Sequence, residues 1–337
     1  MSATMPLFSV IVPVYNVAPY LAECLDSVLS QSCADWECFC VDDGSRDGSG
    51  SLLDVYARRD ARFRITHQPN AGVSSARNRA LDTTYGQWVW FVDGDDAIHP
   101  EALAVLSETI ASYPEVQAIA FRQALVRWEP FRFRPLSDRP LSEMRKTAFG
   151  MKAFSQTAWI LLFQREQIGK RRFPAYCVGE DGLFSIGYYL GISRWVDTAL
   201  PLYYYRAREN SVMHTRPTER FLLDWLDMLY ARVCLLSPRD VISMGGAEDY
   251  LRGLQALAWY TRDFGLFRLP VARRRQLLPA WLRLVGALNA VVPFPRLRRW
   301  AYYLIAETHS PRLLNLLVAW PAYARIRLGG LRRALFH

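Results

Sequence analysis

The chain has 337 residues, of which 51% are hydrophobic, 13% aromatic and 22% charged. These values exclude a disordered or fibrous protein and leave room for one large domain or two, each with its own core. The net charge of +9 is unevenly placed: residues 221–337 hold 17 basic and 7 acidic side chains, every basic one an Arg, against 24 and 25 in residues 1–220. Met1 to Pro6 has no basic region leading into an apolar run, so no secretory leader is expected. The longest apolar candidate for a membrane span, Leu277 to Phe294, is broken by Arg283, Pro279 and Pro293, and no spanning helix is expected. The six Cys lack the spacing of a zinc site and read as reduced, buried thiols.

Phe8 to Val14 is an apolar run that predicts a buried strand ending at Pro13-Val14-Tyr15-Asn16. Leu21, Cys24, Leu25, Val28 and Leu29 follow at helical spacing. Trp36 to Val41 predicts a second strand, with Cys38 and Cys40 alternating along it, and ends in the polar turn Asp42-Asp43-Gly44-Ser45. A helix over Ser51 to Arg59, a short strand over Arg62 to Thr66, the turn Gln68 to Gly72 and a helix over Val73 to Thr83 come next; His67 and His99 fall in expected turns. The strand Trp88 to Val92, a helix over Pro100 to Ser112 and a strand over Val116 to Phe121 complete an alternation that implies a mostly parallel sheet wrapped by helices. Polar turns after successive strands gather along the carboxyl edge of such a sheet, where open α/β sheets bind ligands.

From Arg122 to Arg145 the pattern weakens to an expected long loop or irregular hairpin. Further strands are expected over Ala158 to Phe163, Trp195 to Thr198 and Leu202 to Tyr205, and a helix opens at Gly179-Glu180-Asp181 and runs to Leu190. Beyond Phe221 the chain reads as mainly helical. The expected organisation is a domain over 1–220 and a basic helical region over 221–337.

The stretch from Gly86 to Asp96 organises the rest. Its buried strand ends in Asp93, Asp95 and Asp96, three carboxylates that repel one another and call for a compensating cation. Hard oxygen donors suit Mg²⁺ or Mn²⁺, ions that commonly bridge to substrate phosphates. The plainer alternative is an acidic turn that caps the following helix.

Five elements in order, Val10 to Asn16, Val41-Asp42-Asp43-Gly44-Ser45, Asn70-Ala71-Gly72 with Ala76-Arg77-Asn78, Asp93-Gly94-Asp95-Asp96 and Gly179-Glu180-Asp181, resemble a family 2 glycosyltransferase with the GT-A fold, over residues 7–215. The resemblance implies a GT-A, Rossmann-like nucleotide-sugar-binding domain, a UDP-sugar as the donor class, and transfer of a hexosyl or N-acetylhexosaminyl group with inversion to a glycan or lipid-linked glycan. The setting it implies is bacterial-type surface polysaccharide or lipopolysaccharide synthesis. Pro13, Val14, Tyr15 and Asp42 or Asp43 would line the base pocket, with Asn70, Arg77, Asp93 and Gly94 along the nucleotide. Asp95, with Asp93, would hold Mn²⁺ or Mg²⁺. Asp181 would be the general base, although Glu180 and Asp181 could equally cap their helix.

His214 would complete the metal shell, and Arg206 and Ser211 could contact the diphosphate. The Arg-rich, Trp-bearing tail, such as Pro295 to Trp300, suits an anionic membrane surface, so a cytoplasmic enzyme peripheral on the inner face of the membrane is expected. A solvated helical subdomain or an oligomer contact fits the same charge, and no recognition motif points to nucleic acid. The rival reading of the whole is a glycosyltransferase-like scaffold, docked on a membrane and without catalysis. A nucleotidyltransferase on a related fold would need a Gly-rich, basic loop after the first strand to hold a triphosphate, and this sequence has none there.

Overall fold

The computed structural model describes residues 5–127, 131–133, 135–136, 142–145, 157–176, 178–207 and 219–235, with 280 and 283. The chain divides into two compact units, Met1–Thr215 and Arg216–His337.

The first unit is built on one nine-stranded sheet. β1 (Phe8–Val14) and β2 (Trp36–Asp42) are buried at every position, which is why they read as mostly apolar runs and not as alternating ones; the buried Ser9 and Glu37 within them hydrogen-bond to each other at 2.6 Å. β1 pairs in parallel with β2 and with β4 (Trp88–Phe91), and β2 with β3 (Phe63–His67). The strands lie in the order β3-β2-β1-β4-β8-β6-β9-β5, with β7 on β9. β6 (Ala118–Arg127) and β9 (Arg194–Ala207) share the direction of the first four, whereas β5 (Ala97–Ile98), β7 (Ser142–Arg145) and β8 (Leu161–Gln164) run against it. Helices α1 (Ala18–Leu29), α2 (Ser49–Arg59), α3 (Val73–Thr83) and α4 (Ala102–Ser112) connect the early strands. α1 buries Leu21, Cys24, Leu25 and Val28, the stripe expected of it. α5 (Arg165–Ile168) is short, and α6 (Glu180–Gly191) carries the Glu-Asp pair in its first turn.

Three expectations change. β6 runs on to Arg127 instead of stopping at Phe121, because β9 gives it a parallel partner as far as Ala207. The stretch read as loop therefore begins as strand, and Ser142–Arg145 adds an antiparallel strand to β9. The two short strands expected on either side of Ala199 are one strand: Ala199 takes φ 53°, Asp197 Oδ1 accepts its N–H at 2.8 Å, and the pairing with β6 shifts register at that point. His67 is the last residue of β3, not a turn residue.

Cys24, Cys38 and Cys40 are buried and free, the last two with their sulfurs 3.7 Å apart. In the second unit, α7 (Glu219–Leu235) carries an Arg220–Asp224 pair one turn apart, and Arg283 pairs with Asp227 at 2.7 Å. Among the described residues no helix is long and apolar enough to cross a membrane. Most of the Arg-rich tail, Pro295 to Trp300 included, lies outside the described residues.

Candidate active site

Strand register brings the polar turns together. Val14 pairs with Asp42 and Asp42 with His67, so the ends of β1, β2 and β3 form one row at the carboxyl edge. The turns after β1 and β2 clasp each other. Ser45 Oγ accepts the Asn16 N–H, Asn16 Oδ1 accepts the Arg46 N–H, and Asp47 accepts from Ala18 and Ser49 at the starts of α1 and α2. Pro13 and Val14 are buried beneath this clasp, and Tyr15 stands 49% exposed above it.

The two neighbouring carboxylates of that edge differ in their work. Both oxygens of Asp43 hold the next turn, accepting from Gln68, Ala71 N and Gly72 N at 2.8 Å each. This fixes exposed Asn70 beside Gly44, which has φ +76° and where a Cβ would stand 2.9 Å from Asn70 N, so the position favours glycine. Asp42 accepts from Ser45 N at 2.9 Å and contacts His67 Nδ1 at 2.9 Å. Burial works to raise its pKa, but those hydrogen bonds more than offset it and hold the carboxyl below its ordinary value.

Past β4, the acidic turn has the cations its charge demands. Arg77, in the middle of α3 and only 3% exposed, donates from one guanidinium nitrogen to Asp93 Oδ1 at 2.8 Å and from another to Glu180 Oε1 at 2.9 Å. Its plane lies over the Phe173 ring at 5.2 Å, and that ring is placed by Asn78, which exchanges two hydrogen bonds with the Phe173 backbone. Burial opposes the charge on Arg77, yet Asp93, Glu180 and Asp181 together hold the proton more firmly than usual. Gly94 is buried, with Val17 and the Pro13 carbonyl close to where a Cβ would point. Asp95 is partly exposed at the tip of the turn.

Asp96 turns inward and is 1% exposed. It accepts from the Tyr203 hydroxyl at 2.5 Å and from Arg206 N at 2.7 Å, and the same Tyr203 oxygen accepts the Asp93 N–H at 3.2 Å. Burial, then the charges of Asp95 and Asp93, push its carboxyl well above the usual value. The Arg206 guanidinium is 4.2 Å from the Phe131 ring; it donates to the Asp95 carbonyl at 3.0 Å and to Glu23. Thus Arg206, expected beside the diphosphate, has partners in the protein that hold the acidic turn from beneath. Ser211 and His214 lie outside the described residues.

Asp181 sits in the first turn of α6, after Gly179 at φ 72°, and accepts the Gly182 N–H at 2.8 Å. It is 8% exposed. Burial first and the Glu180 charge second push its carboxyl up to about 7, while Arg77 pulls the other way. Arg77 thus ties the first turn of α6 to the acidic turn of β4, and Asp181 comes within electrostatic range of Asp93.

Among the described residues no group of three or more His, Cys, Asp or Glu is gathered to enclose a metal ion. The donors present still fit a hard divalent cation. Asp93 offers Oδ2, which makes no hydrogen bond among the described residues, and Asp95 is partly exposed on the same turn. An ion of the Mg²⁺ type takes one or two carboxylates and fills its remaining positions with phosphate and water. A cleft of about 610 Å³ opens at the opposite edge, by Gln87, Trp88 and Arg165, and contains none of the candidate residues.

Sequence reasoning missed Glu23, His67 and Tyr203 and did not foresee the Glu180–Arg77 pair. Local sequence signals none of these partnerships: Glu180 and Arg77 are 103 positions apart, and Tyr203 and Asp96 are 107 apart.

These features define the class of the first unit: an α/β fold of the GT-A type, with its candidate nucleotide residues along the carboxyl edge of the sheet. Residues 9–168 match the family model described as Glycosyl transferase family 2. The chain is 47% identical over 104 residues to the uncharacterized glycosyltransferase EpsJ of Bacillus subtilis (strain 168), covering 31% of this chain and 30% of that one. It is 42% identical over 92 residues to the putative teichuronic acid biosynthesis glycosyltransferase TuaG of the same organism, covering 27% and 36%. It therefore spans about a third of the length of these curated relatives. Among solved structures it resembles residues 1–349 of S. aureus TarS in complex with UDP-GlcNAc, with a TM-score of 0.65 at 21% identity, covering 96% of this chain and 92% of that one.

Proposed function

We propose that the protein is an inverting glycosyltransferase that moves a sugar from a nucleotide-sugar, with UDP-sugars as the donor class, to a hydroxyl of a glycan or lipid-linked glycan in cell-surface polysaccharide synthesis. The observation that carries this reading is the buried Glu180–Arg77–Asp93 bridge, which brings a carboxyl of raised pKa beside the acidic turn. Kinship with TuaG supports the polysaccharide setting, and likeness to TarS bound to UDP-GlcNAc supports the donor class.

In this reading Asp42 accepts the imide N–H of a uracil, with Pro13, Val14 and Tyr15 as the wall of the base pocket. Asp43 holds the Asn70–Gly72 turn that borders the nucleotide. Asp93 takes the ribose. Asp95, with Asp93, would hold Mn²⁺ or Mg²⁺, which supplies electrostatic stabilisation of the departing diphosphate. Asp181 accepts the proton of the acceptor hydroxyl as that oxygen attacks the anomeric carbon. The bond from that carbon to the diphosphate breaks with its electron pair on the nucleotide, and one displacement inverts the centre. A carboxyl whose pKa lies near neutrality is matched to this task. Arg206 supports the acidic turn through the Asp95 carbonyl. The basic region after residue 220 meets the acceptor, a second copy or the inner face of the cytoplasmic membrane.

Titration calorimetry of the full chain with UDP, GDP and CDP, with and without Mn²⁺, tests the reading. Metal-dependent binding of one nucleotide, lost in Asp95→Ala, is the expected result. Binding of no nucleotide under any condition removes the enzyme reading and leaves a scaffold.

A further inference from the structure

We infer that His67 is a positioning residue for the donor: its imidazole, bridged between Asp42 and Asp54, holds the Asp42 carboxylate in the orientation that receives a nucleobase N–H. The inference rests on the nucleotide-sugar reading above.

His67 occupies the same row of the sheet edge as Asp42. Its Nδ1 is 2.9 Å from Asp42 Oδ2, and its Nε2 is 3.1 Å from Asp54 Oδ1. Carboxylate oxygens face both ring nitrogens, an arrangement that only the imidazolium satisfies with two N–H donors. A neutral ring donates to one carboxylate and turns a lone pair on the other. The charged groups that face the ring are Asp42 from β2 and Asp54 from α2. The other Asp42 oxygen is fixed by the Ser45 N–H, so two donors set the carboxylate plane. Gly50 lines one side of the bridge, where a Cβ would stand 2.7 Å from Asp42 Oδ2 and 3.4 Å from His67 Cε1, while the His67 side chain is 49% exposed on the other. The bonds to Asp42 and then Asp54 raise the His67 pKa above its ordinary value. Below that value both bridges stand. Above it the ring has a single N–H to share between Asp42 and Asp54, so the His67 hold on Asp42 is kept in only one of the two tautomers. Donor affinity is therefore greatest on the acid side of the His67 titration and declines as pH rises through it.

The test uses the full chain and UDP, with calorimetric affinities from about pH 6 to about pH 9, and a thermal melt of each variant. His67→Ala is expected to bind UDP about tenfold more weakly, the loss of a hydrogen bond to a charged group. In His67→Asn the amide nitrogen takes the place of Nδ1, so affinity returns to within about threefold of wild type and loses the decline at high pH. Asp54→Asn moves that decline to lower pH, and the His67 ring resonance, followed by NMR, titrates lower with it. Unchanged UDP affinity in folded His67→Ala, or the same pH profile in wild type and His67→Asn, overturns the role of His67 alone. Failure of the wild type to bind UDP, GDP or CDP removes the nucleotide-sugar reading and this inference together.

Discussion

Arg77 donates to Asp93 at 2.8 Å from a position that is 3% exposed. A buried guanidinium with two carboxylate partners is strongly bound to its place, and loss of the cation leaves both partners uncompensated. Arg77→Ala is expected to cost about 3–5 kcal/mol in stability, measured by urea denaturation. Arg77→Lys keeps the charge but not the fork that reaches Asp93 and Glu180 together, so it should fold with a smaller loss and still bind UDP poorly. Wild-type UDP affinity in the Lys variant would remove the bridge from the donor site.

Asp181 gives a prediction in which activity and stability move in opposite directions. Its folded pKa of about 7 lies above that of an unfolded Asp, so the folded chain holds the proton more tightly than the unfolded chain. The cost to stability grows as pH rises from about 4 towards the folded value and stays constant above it. Asp181→Asn removes that cost. The variant should be more stable than wild type by about 1–3 kcal/mol in mildly alkaline buffer, with no gain in acid, read from melts at both pH values. Sugar transfer should fall by about 10²-fold or more. Wild-type transfer should rise with pH through the same titration, because the ionised carboxylate is the base.

Tyr203 holds the acidic turn through one oxygen, which donates to Asp96 and accepts from Asp93 N. Tyr203→Phe leaves a buried carboxyl and a backbone N–H short of partners, at an expected cost of about 1–3 kcal/mol by chemical denaturation. Mn²⁺-dependent UDP binding should weaken with it, since Asp93 and Asp95 flank the loosened segment.

Gly86 supplies a prediction away from the site. A Cβ there would stand 2.5 Å from Ser9 N and 2.7 Å from the Phe8 carbonyl carbon, which are backbone atoms of the central strand. Gly86→Ala forces β1 and β4 apart and should destabilise the fold by about 1–3 kcal/mol or more, seen as a lowered melting temperature. An unchanged melt would mean that this edge of the sheet yields easily.

Much of the fold was legible because central parallel strands must be apolar on both faces. β1, β2 and β4 therefore announced themselves as the runs Phe8 to Val14, Trp36 to Val41 and Trp88 to Val92, and the helix stripe on α1 was equally plain. β5 and β7 were not legible, nor was the extension of β6 to Arg127. Those segments are short or polar and become strand only because β9 provides backbone partners.

For the candidate site, the sequence by itself determined which chemistry the chain carries: the carboxylates of the Asp93–Asp96 turn, the Asp42–Asp43 pair, Arg77 and the Glu180–Asp181 pair. It also determined that the carboxylates follow strands or open a helix, since that order is written in the chain. Only the tertiary structure decided how the groups divide their work. Asp43 became a turn holder and Asp42 stayed with His67; Asp96 turned inward to Tyr203, and Arg206 went beneath the turn. The physical reason is that an ionised group in a protein interior takes whichever partner the packing brings within about 3 Å. Such partners can lie far apart in sequence, as Arg77 and Glu180 do at 103 positions, where no local pattern joins them.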